Sequence, residues 1–524
     1  MEPGRRMSYM GEIGTIKFIG PVKGTSGIWL GIEWDNPKRG KHDGAKDGQQ
    51  YFTCLVPGSG SFIRPSPNIR FGKSFLEALR SKYIESLHGT GSQEVVILGS
   101  SQGAVQVEAI NLDKIRNKLS KLSSLREVSL DGEGVASTDP KGMIYETCPN
   151  VRGLDLSKSL IHSWHVIVVI AQELPSLQRL YLNQNRFQHY LEPGAFCDCF
   201  SSLTELRLND TLMSWQDILR TIANMPVLEE LECGYNRFTD ASFDLDDRPR
   251  LNTPVHTLNL DSNQIRGWFS VCLAFSDFPL LTRVILANNQ IKNIPPSVLQ
   301  QRLPQLKHLS LAFNRLRAWS DIHALAVWAP SLESLALIGN PIMTDHSQDI
   351  RPLVIARLAT LQVLDGAAIS GKERRDAELY YLSYIVNEGP MSDDQRTQEH
   401  PRWQELCLKY GKPDETLSKL TPDTLKSRLL ELELHRMLGL FSLDQLQAHP
   451  SEDTKTVVQV LPTMTLKMLR SKIRKALGCS SKAKVIVRMI MNDQSLITLG
   501  EDRDSQDLSW IGLESGSKLL CIVS

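Results

Sequence analysis

A nine-residue pattern, L-x-x-L-x-L-x-x-N, recurs through the middle of the chain and limits what it can fold into. LPSLQRLYLNQNRF (174–187), LEELECGYNRF (228–238), VHTLNLDSNQI (255–265), LTRVILANNQI (281–291), LKHLSLAFNRL (306–316) and LESLALIGNPI (332–342) carry it. Their asparagines are Asn185, Asn236, Asn263, Asn289, Asn314 and Asn340. LREVSLDGE (125–133), VRGLDLSKS (151–159) and LTELRLNDT (203–211) are degenerate copies in the same register. Across these nine copies the ninth position advances by 25 to 27 residues each time, from 133 to 340. A unit that short cannot bury its own leucines, so each copy must be covered by the next, as in a solenoid. Asn at the bend can satisfy backbone groups that would otherwise be stranded.

The pattern is that of leucine-rich repeats. It predicts short parallel strands forming a concave face, with stretches such as SWQDILRTIANMP (214–226) helical on the convex side. LQVLDGAAI (361–369) keeps the leucines and loses the Asn, as a terminal cap does. Extended concave surfaces bind partners, but position within a repeat names no contact residue.

The chain has 524 residues, too many for one core, so further domains are expected on either side. With 41% apolar and 23% charged residues it has a globular composition. Its 59 Lys and Arg balance 59 Asp and Glu, which argues against holding nucleic acid through an overall field. The longest aliphatic run, VIVVIA (166–171), is far short of a membrane span, and MEPGRRMSYMGEIG has no apolar leader core. Nine scattered cysteines, only Cys197 and Cys199 being close, fit a reduced, cytoplasmic chain.

Residues 1–73 are punctuated by glycine, and GTIKFIG, IWLGIEW, QQYFTC and SFIRP read as short strands. This segment holds 11 Lys and Arg against 6 Asp and Glu, a net +5 in a neutral chain. Cations beside exposed aromatics suit an acidic, aromatic-bearing peptide. A phosphate cradle fails on spacing, because G-x-x-x-x-G-K-[ST] would need Gly at 35 and Ser or Thr at 42, where Asp35 and His42 stand. GTIKFIG, WLGIEWDNPKRGKHDG, YF and SFIRP resemble a CAP-Gly domain, whose hallmark is GKNDG. That resemblance implies binding of the acidic-aromatic C-terminal tail of α-tubulin and similar EEY/F ends. By the same resemblance Trp29, Phe52 and Phe62 line the groove, and Gly40, Lys41, His42 and Arg64 complete the tail site. Asp43 and Gly44 shape the loop. His42 stands where the family has Asn, and both readings remain open for it: a contact with the tail, or a brace within the loop.

At the other end, LLELELHR (429–436) and TVVQVLP (456–462) alternate like paired strands, MTLKMLRSKIRKALG (464–478) is an amphipathic helix, and KVIVRMI and KLLCIVS read as later strands. This ββαββ order over 424–524 resembles a ubiquitin-like domain. GKERRDAELYYLSYIVNEG reads as a helix and GPMSDDQRTQEHP (389–401) as a polar linker.

The expected fold is therefore multidomain. A small β CAP-Gly domain (1–73) precedes a linker with a short helix and strand (74–121). The α/β leucine-rich-repeat solenoid (122–370) follows, then a helical connector and polar linker (371–423) and an α+β ubiquitin-like, β-grasp domain (424–524). That order, with HPRWQELCLKYGKP and the ERRDAEL helix, resembles the tubulin-folding cofactor E (tubulin-specific chaperone E) family. The resemblance implies a cytoplasmic, cytoskeleton-associated chaperone that holds α-tubulin. It implies action with tubulin-folding cofactors D, C and B and a small GTPase in assembling or taking apart the α/β heterodimer. No catalytic constellation, cofactor or metal site is expected: G-x-S-x-G and H-E-x-x-H are absent, and the His162/His165 pair lacks a third ligand. Two rivals are a microtubule-associated adaptor, which normally dimerises through heptads that this chain lacks, and a ubiquitin-pathway receptor.

Overall fold

Asn340 and Leu311, one repeat apart, show how the repeats are joined. The Asn340 amide donates to the Leu311 and Leu337 carbonyls at 2.8 Å each, and its Oδ1 accepts from the Leu316 N–H at 3.0 Å. Asn263, Asn289 and Asn314 repeat this bridge, and Asn185 does so with Leu156, Leu182 and Ser159. All are buried. Each therefore satisfies backbone groups that would cost about 1–3 kcal/mol apiece if left unpaired in the interior. At 211 a threonine holds the ladder position, and its hydroxyl donates to Leu208 O at 3.0 Å.

The computed structural model describes residues 1–85, 96–97, 106–107, 121–188, 199–245, 247–249, 251–296, 303–344, 349–388, 391–413, 429–437, 455–480, 483–490 and 496–523. Cys197, most of 86–120 and residues 414–428 lie outside them, and so does part of the expected linkers. Among the described residues no helix is long and apolar enough to cross a membrane. The chain forms two units, 1–413 and 414–524.

In the first unit the repeats build an eleven-stranded sheet running from Glu127–Ser129 to Ala367–Ala368, parallel except for the last pair. The middle residue of each three-residue strand of this sheet, such as Leu206, Leu258 or Leu335, is buried, and its neighbours, Gly153 excepted, are more exposed. Before each ladder residue the backbone turns left-handed: Lys158, Gln184, Asp210, Tyr235, Ser262, Asn288 and Phe313 have φ of 51–59°, and Gly339 has 78°. For a residue other than Gly or Asn this costs roughly 1–2 kcal/mol. Helices such as Trp164–Gln172, Trp215–Ile222, Trp268–Phe275 and Trp319–Trp328 cover the other side, and each begins with a tryptophan.

Both ends of the solenoid are closed by segments outside the repeats. Phe75–Arg80, within the stretch expected as linker, is a helix whose Phe75, Leu76, Ala78 and Leu79 join the solenoid core. Asp139 holds its start, accepting from the Ser74 hydroxyl at 2.6 Å and the Leu76 N–H at 2.8 Å. Lys73–Ser74 also pairs in parallel with Val135–Ser137, which ties the N-terminal domain to the first repeats. At the far end Val363–Leu364 and Ala367–Ala368 form a closing hairpin, and Asp365 accepts from the Leu337 and Ile338 N–H groups. Helices Gly371–Asn387 and Trp403–Tyr410 then pack Tyr381, Leu382, Ile385, Trp403 and Leu406 against Leu353 and Ala356. Between them, residues expected as polar linker form the helix Asp393–Glu399, begun by a reciprocal Ser392–Gln395 cap.

The second unit is a five-stranded sheet in the order Lys455–Val460, Leu430–Met437, Lys518–Val523, Val485–Ile490, Leu496–Leu499. Its first and last strands run parallel at the centre. Leu466, Leu469 and Ile473 of the helix Leu466–Ala476 are buried in the same core as Leu432, Leu434 and Leu519. The expected ββαββ order lacks one strand that the structure contains, Leu496–Leu499, which pairs at the edge.

Candidate functional site

The N-terminal domain is a five-stranded antiparallel sheet of Arg6–Tyr9, Glu12–Pro21, Ile28–Trp34, Gly60–Ile63 and Ile69–Arg70. Met7, Ile16, Leu30, Ile32, Trp34 and Ile69 form its core. The pairing of Glu12–Pro21 with Ile28–Trp34 shifts between Ile16 and Phe18, and Phe18 then stands opposite Gly31.

On this surface five rings gather. Phe62 lies 4.9 Å from His42, 5.4 Å from Tyr51, 5.5 Å from Phe52 and 6.3 Å from Phe18, centroid to centroid, the Phe and Tyr rings meeting it edge-to-face. Such arrangements are favoured by the ring quadrupole. Of the expected groove residues, His42, Phe52 and Phe62 are thus brought together. Phe18 and Tyr51 belong to the same cluster and were not anticipated. Their signal lay in GTIKFIG and in the Tyr of the YF pair.

Trp29 and Arg64 form a separate pair: the guanidinium sits over the indole at 3.9 Å and donates to Ile28 O at 3.2 Å. The Trp29 ring nitrogen donates to the Thr25 hydroxyl at 2.7 Å. Trp29 stands opposite Gly20 and Phe62 opposite Gly31, so the pair lies two residues along the strand from the ring cluster.

The loop at 40–44 folds against residues 58–60. The Lys41 and His42 N–H groups donate to Gly60 O at 2.7 and 3.2 Å, and Gly60 N–H returns a bond to His42 O at 2.8 Å. Asp43 accepts from the Gly58 N–H. A Cβ on Gly40 would lie 1.9 Å from Gly58 O, and one on Gly44, whose φ is 89°, would lie 2.0 Å from Phe52 O. Both glycines therefore allow a backbone approach that no side chain permits. His42 Nδ1 accepts the Gly44 N–H at 2.9 Å, which places the neutral ring's proton on Nε2. Burial holds the His42 pKa below its ordinary value; Asp43 opposes this and Lys41 adds to it. The Lys41 side chain is exposed at the loop tip. The Lys41, His42 and Gly44 N–H groups are spent within the fold, so an exposed cation and a ring cluster remain to receive a carboxylate next to an aromatic ring.

Elsewhere His162 is half-buried and its pKa is lowered by burial, with Glu2, Arg5 and Arg6 adding smaller contributions of both signs.

The CAP-Gly domain family matches residues 3–67 and the leucine-rich repeat family residues 255–388. "Tubulin-specific chaperone E" of Bos taurus is 33% identical and spans 99% of this chain and 98% of its own length. The Mus musculus protein of that name is 35% identical over 82% of this chain and 83% of its own. A solved structure, "Bik1 CAP-Gly domain with ETF peptide from Bim1", is 32% identical over 12% of this chain and 74% of that chain, with a TM-score of 0.11. Similarity that runs the full length of both sequences makes this chain a member of the tubulin-specific chaperone E family.

Proposed function

We propose that this protein is a tubulin-folding cofactor that captures α-tubulin by two contacts, its acidic-aromatic tail in the N-terminal groove and its folded body on the solenoid. The observation that supports this reading is the loop 40–44, in which the exposed Lys41 directly precedes His42, whose ring lies 4.9 Å from that of Phe62. Lys41 takes a tail carboxylate, and the part-exposed rings of Phe62, Phe18 and Tyr51 take the aromatic end, with the buried Phe52 behind them. Trp29 and Arg64 extend the groove along the strand. A tail in one groove offers little area, so the solenoid is the main grip and the tail a tether that raises the local concentration of the body.

The second unit is read as a ubiquitin-like domain, supported by its central parallel pair of terminal strands and single covering helix. We assign it a docking role, and we assign the whole chain a role with cofactors D, C and B and a small GTPase in assembly and disassembly of the heterodimer. It acts by binding, without catalysis, in the cytoplasm and on the cytoskeleton.

An EEY-ending peptide tests the groove. Charge-assisted hydrogen bonds contribute about 1.5–3 kcal/mol each, so Lys41→Ala weakens the peptide about tenfold or more. Removing the peptide's last aromatic residue weakens wild type comparably. A Lys41→Ala protein that bound the peptide as well as wild type would end this reading of the groove.

A further inference from the structure

Every described repeat turns left-handed just before its ladder residue, and Asn288 and Gly339 suit that turn. Tyr235 and Phe313 do not, yet they occupy it at φ 59° and 55°. Burial does not compensate them, because their side chains are 56% and 58% exposed. The turn itself is common to the repeats, held also by Lys158, Gln184, Asp210 and Ser262, so what sets Tyr235 and Phe313 apart is a large ring left exposed at it.

Each ring has the same companion. Arg237 and Arg315 stand two residues on, past the buried Asn236 and Asn314, and both are exposed. Among the described residues neither has an ion-pair partner: Asp210, whose carboxylate feels Arg237, is already paired with Arg186 at 3.1 Å. The Arg186–Asp210 pair also shows the contrast, since the earlier Gln184-Asn185-Arg186 copy is neutralised within the protein. Phe313 lies across the next repeat, where a Cβ on Gly339 would meet its ring at 2.4 Å, and Ile338 beside it is 54% exposed. The two aromatic–arginine pairs are three strands apart, about 14 Å at the usual strand spacing.

We propose that this rim, Tyr235 with Arg237 and Phe313 with Arg315 and Ile338, is the surface that receives an acidic face of the folded tubulin subunit. The proposal rests on the reading of the solenoid as the main grip and names where that grip lies. Exposed aromatic and arginine side chains are the residues that dominate binding hot spots. Their unpaired guanidinium groups call for carboxylates, the same sign of partner that the basic groove calls for.

The test uses the full-length protein and tubulin stripped of its C-terminal tails. Tyr235→Asn with Phe313→Asn removes both rings and puts a residue that accepts the left-handed turn in their place. Binding falls about tenfold or more, while the thermal midpoint holds or rises. Arg237→Glu with Arg315→Glu loses at least as much binding. Neither variant changes the affinity for an EEY-ending peptide. Binding of the Asn variant within about twofold of wild type overturns the proposal, and so does lost binding accompanied by a lowered midpoint. If wild type binds the peptide but no tail-less tubulin, the rim and the solenoid grip both fail and the groove stands. If it binds tail-less tubulin but not the peptide, the groove reading fails, and the Asn variant then decides the rim alone.

Discussion

His42 Nδ1 accepts the Gly44 N–H at 2.9 Å, and this bond spans two residues, as an Asn side chain's bond does in an Asx turn. It accounts for a histidine where the CAP-Gly family has Asn. A protonated ring has no acceptor, so protonation breaks the bond. The folded loop holds the His42 pKa below its ordinary value. The loop's stability is therefore complete above pH ~6.5, declines as pH falls below it, and is lost through the lowered folded pKa. Affinity for an EEY-ending peptide is expected to be flat from pH 8 to about 6.5 and to weaken below. His42→Asn keeps the neutral-pH affinity and stays flat. Wild-type affinity that rises between pH 7.5 and 6 would instead mean that the ring touches the tail's carboxylates.

The asparagine ladder holds the solenoid through bonds rather than bulk. Asn289→Ala takes the partner of the Ile265 N–H at 3.2 Å, and it takes one of two amide donors from Leu260 O and from Leu286 O, which keep Asn263 and Asn314. At about 1–3 kcal/mol for the one buried N–H left unpaired, the variant should lose about that much in denaturant unfolding. A loss under about 1 kcal/mol would show that the neighbouring repeats close over the gap.

Phe75 lies outside every repeat and is fully buried in their core. Phe75→Ala should cost about 3–5 kcal/mol, as large-to-small changes of buried aromatic residues do. A fragment beginning at residue 74 should outlast one beginning at 121 in thermal unfolding. Equal midpoints would make Phe75–Arg80 an ornament rather than the cap of the solenoid.

How far the sequence could be read depends on the length of each signal. Asn185 through Asn340 announce themselves because the same buried bridge recurs, and repetition makes a weak local pattern strong. FLEALR is too short for its periodicity to show a buried face, so the short helix expected in 74–121 does not read as part of the solenoid core. DDQRTQE is polar on every side, and what starts its helix is the Ser392–Gln395 cap, with Arg396 stacked over Trp403 from a different element. The left-handed turns at Tyr235 and Phe313 are invisible because propensity argues against them there. In the ring cluster, His42, Phe52 and Phe62 could be named from their motif. Phe18 and Tyr51 could not, because a register shift between two strands decides which way Phe18 points.

The central claim is that Lys41 and the tubulin tail meet, and a double-mutant cycle on the full chain measures it. Tail removal from tubulin and Lys41→Ala should each weaken binding about tenfold or more, in line with one charge-assisted contact. Removing the tail should then cost the Lys41→Ala protein about tenfold less than it costs wild type, because the Lys41 contact is already gone and only the ring contact remains to lose. Losses that simply add, or a tail whose removal changes nothing in wild type, would contradict the account.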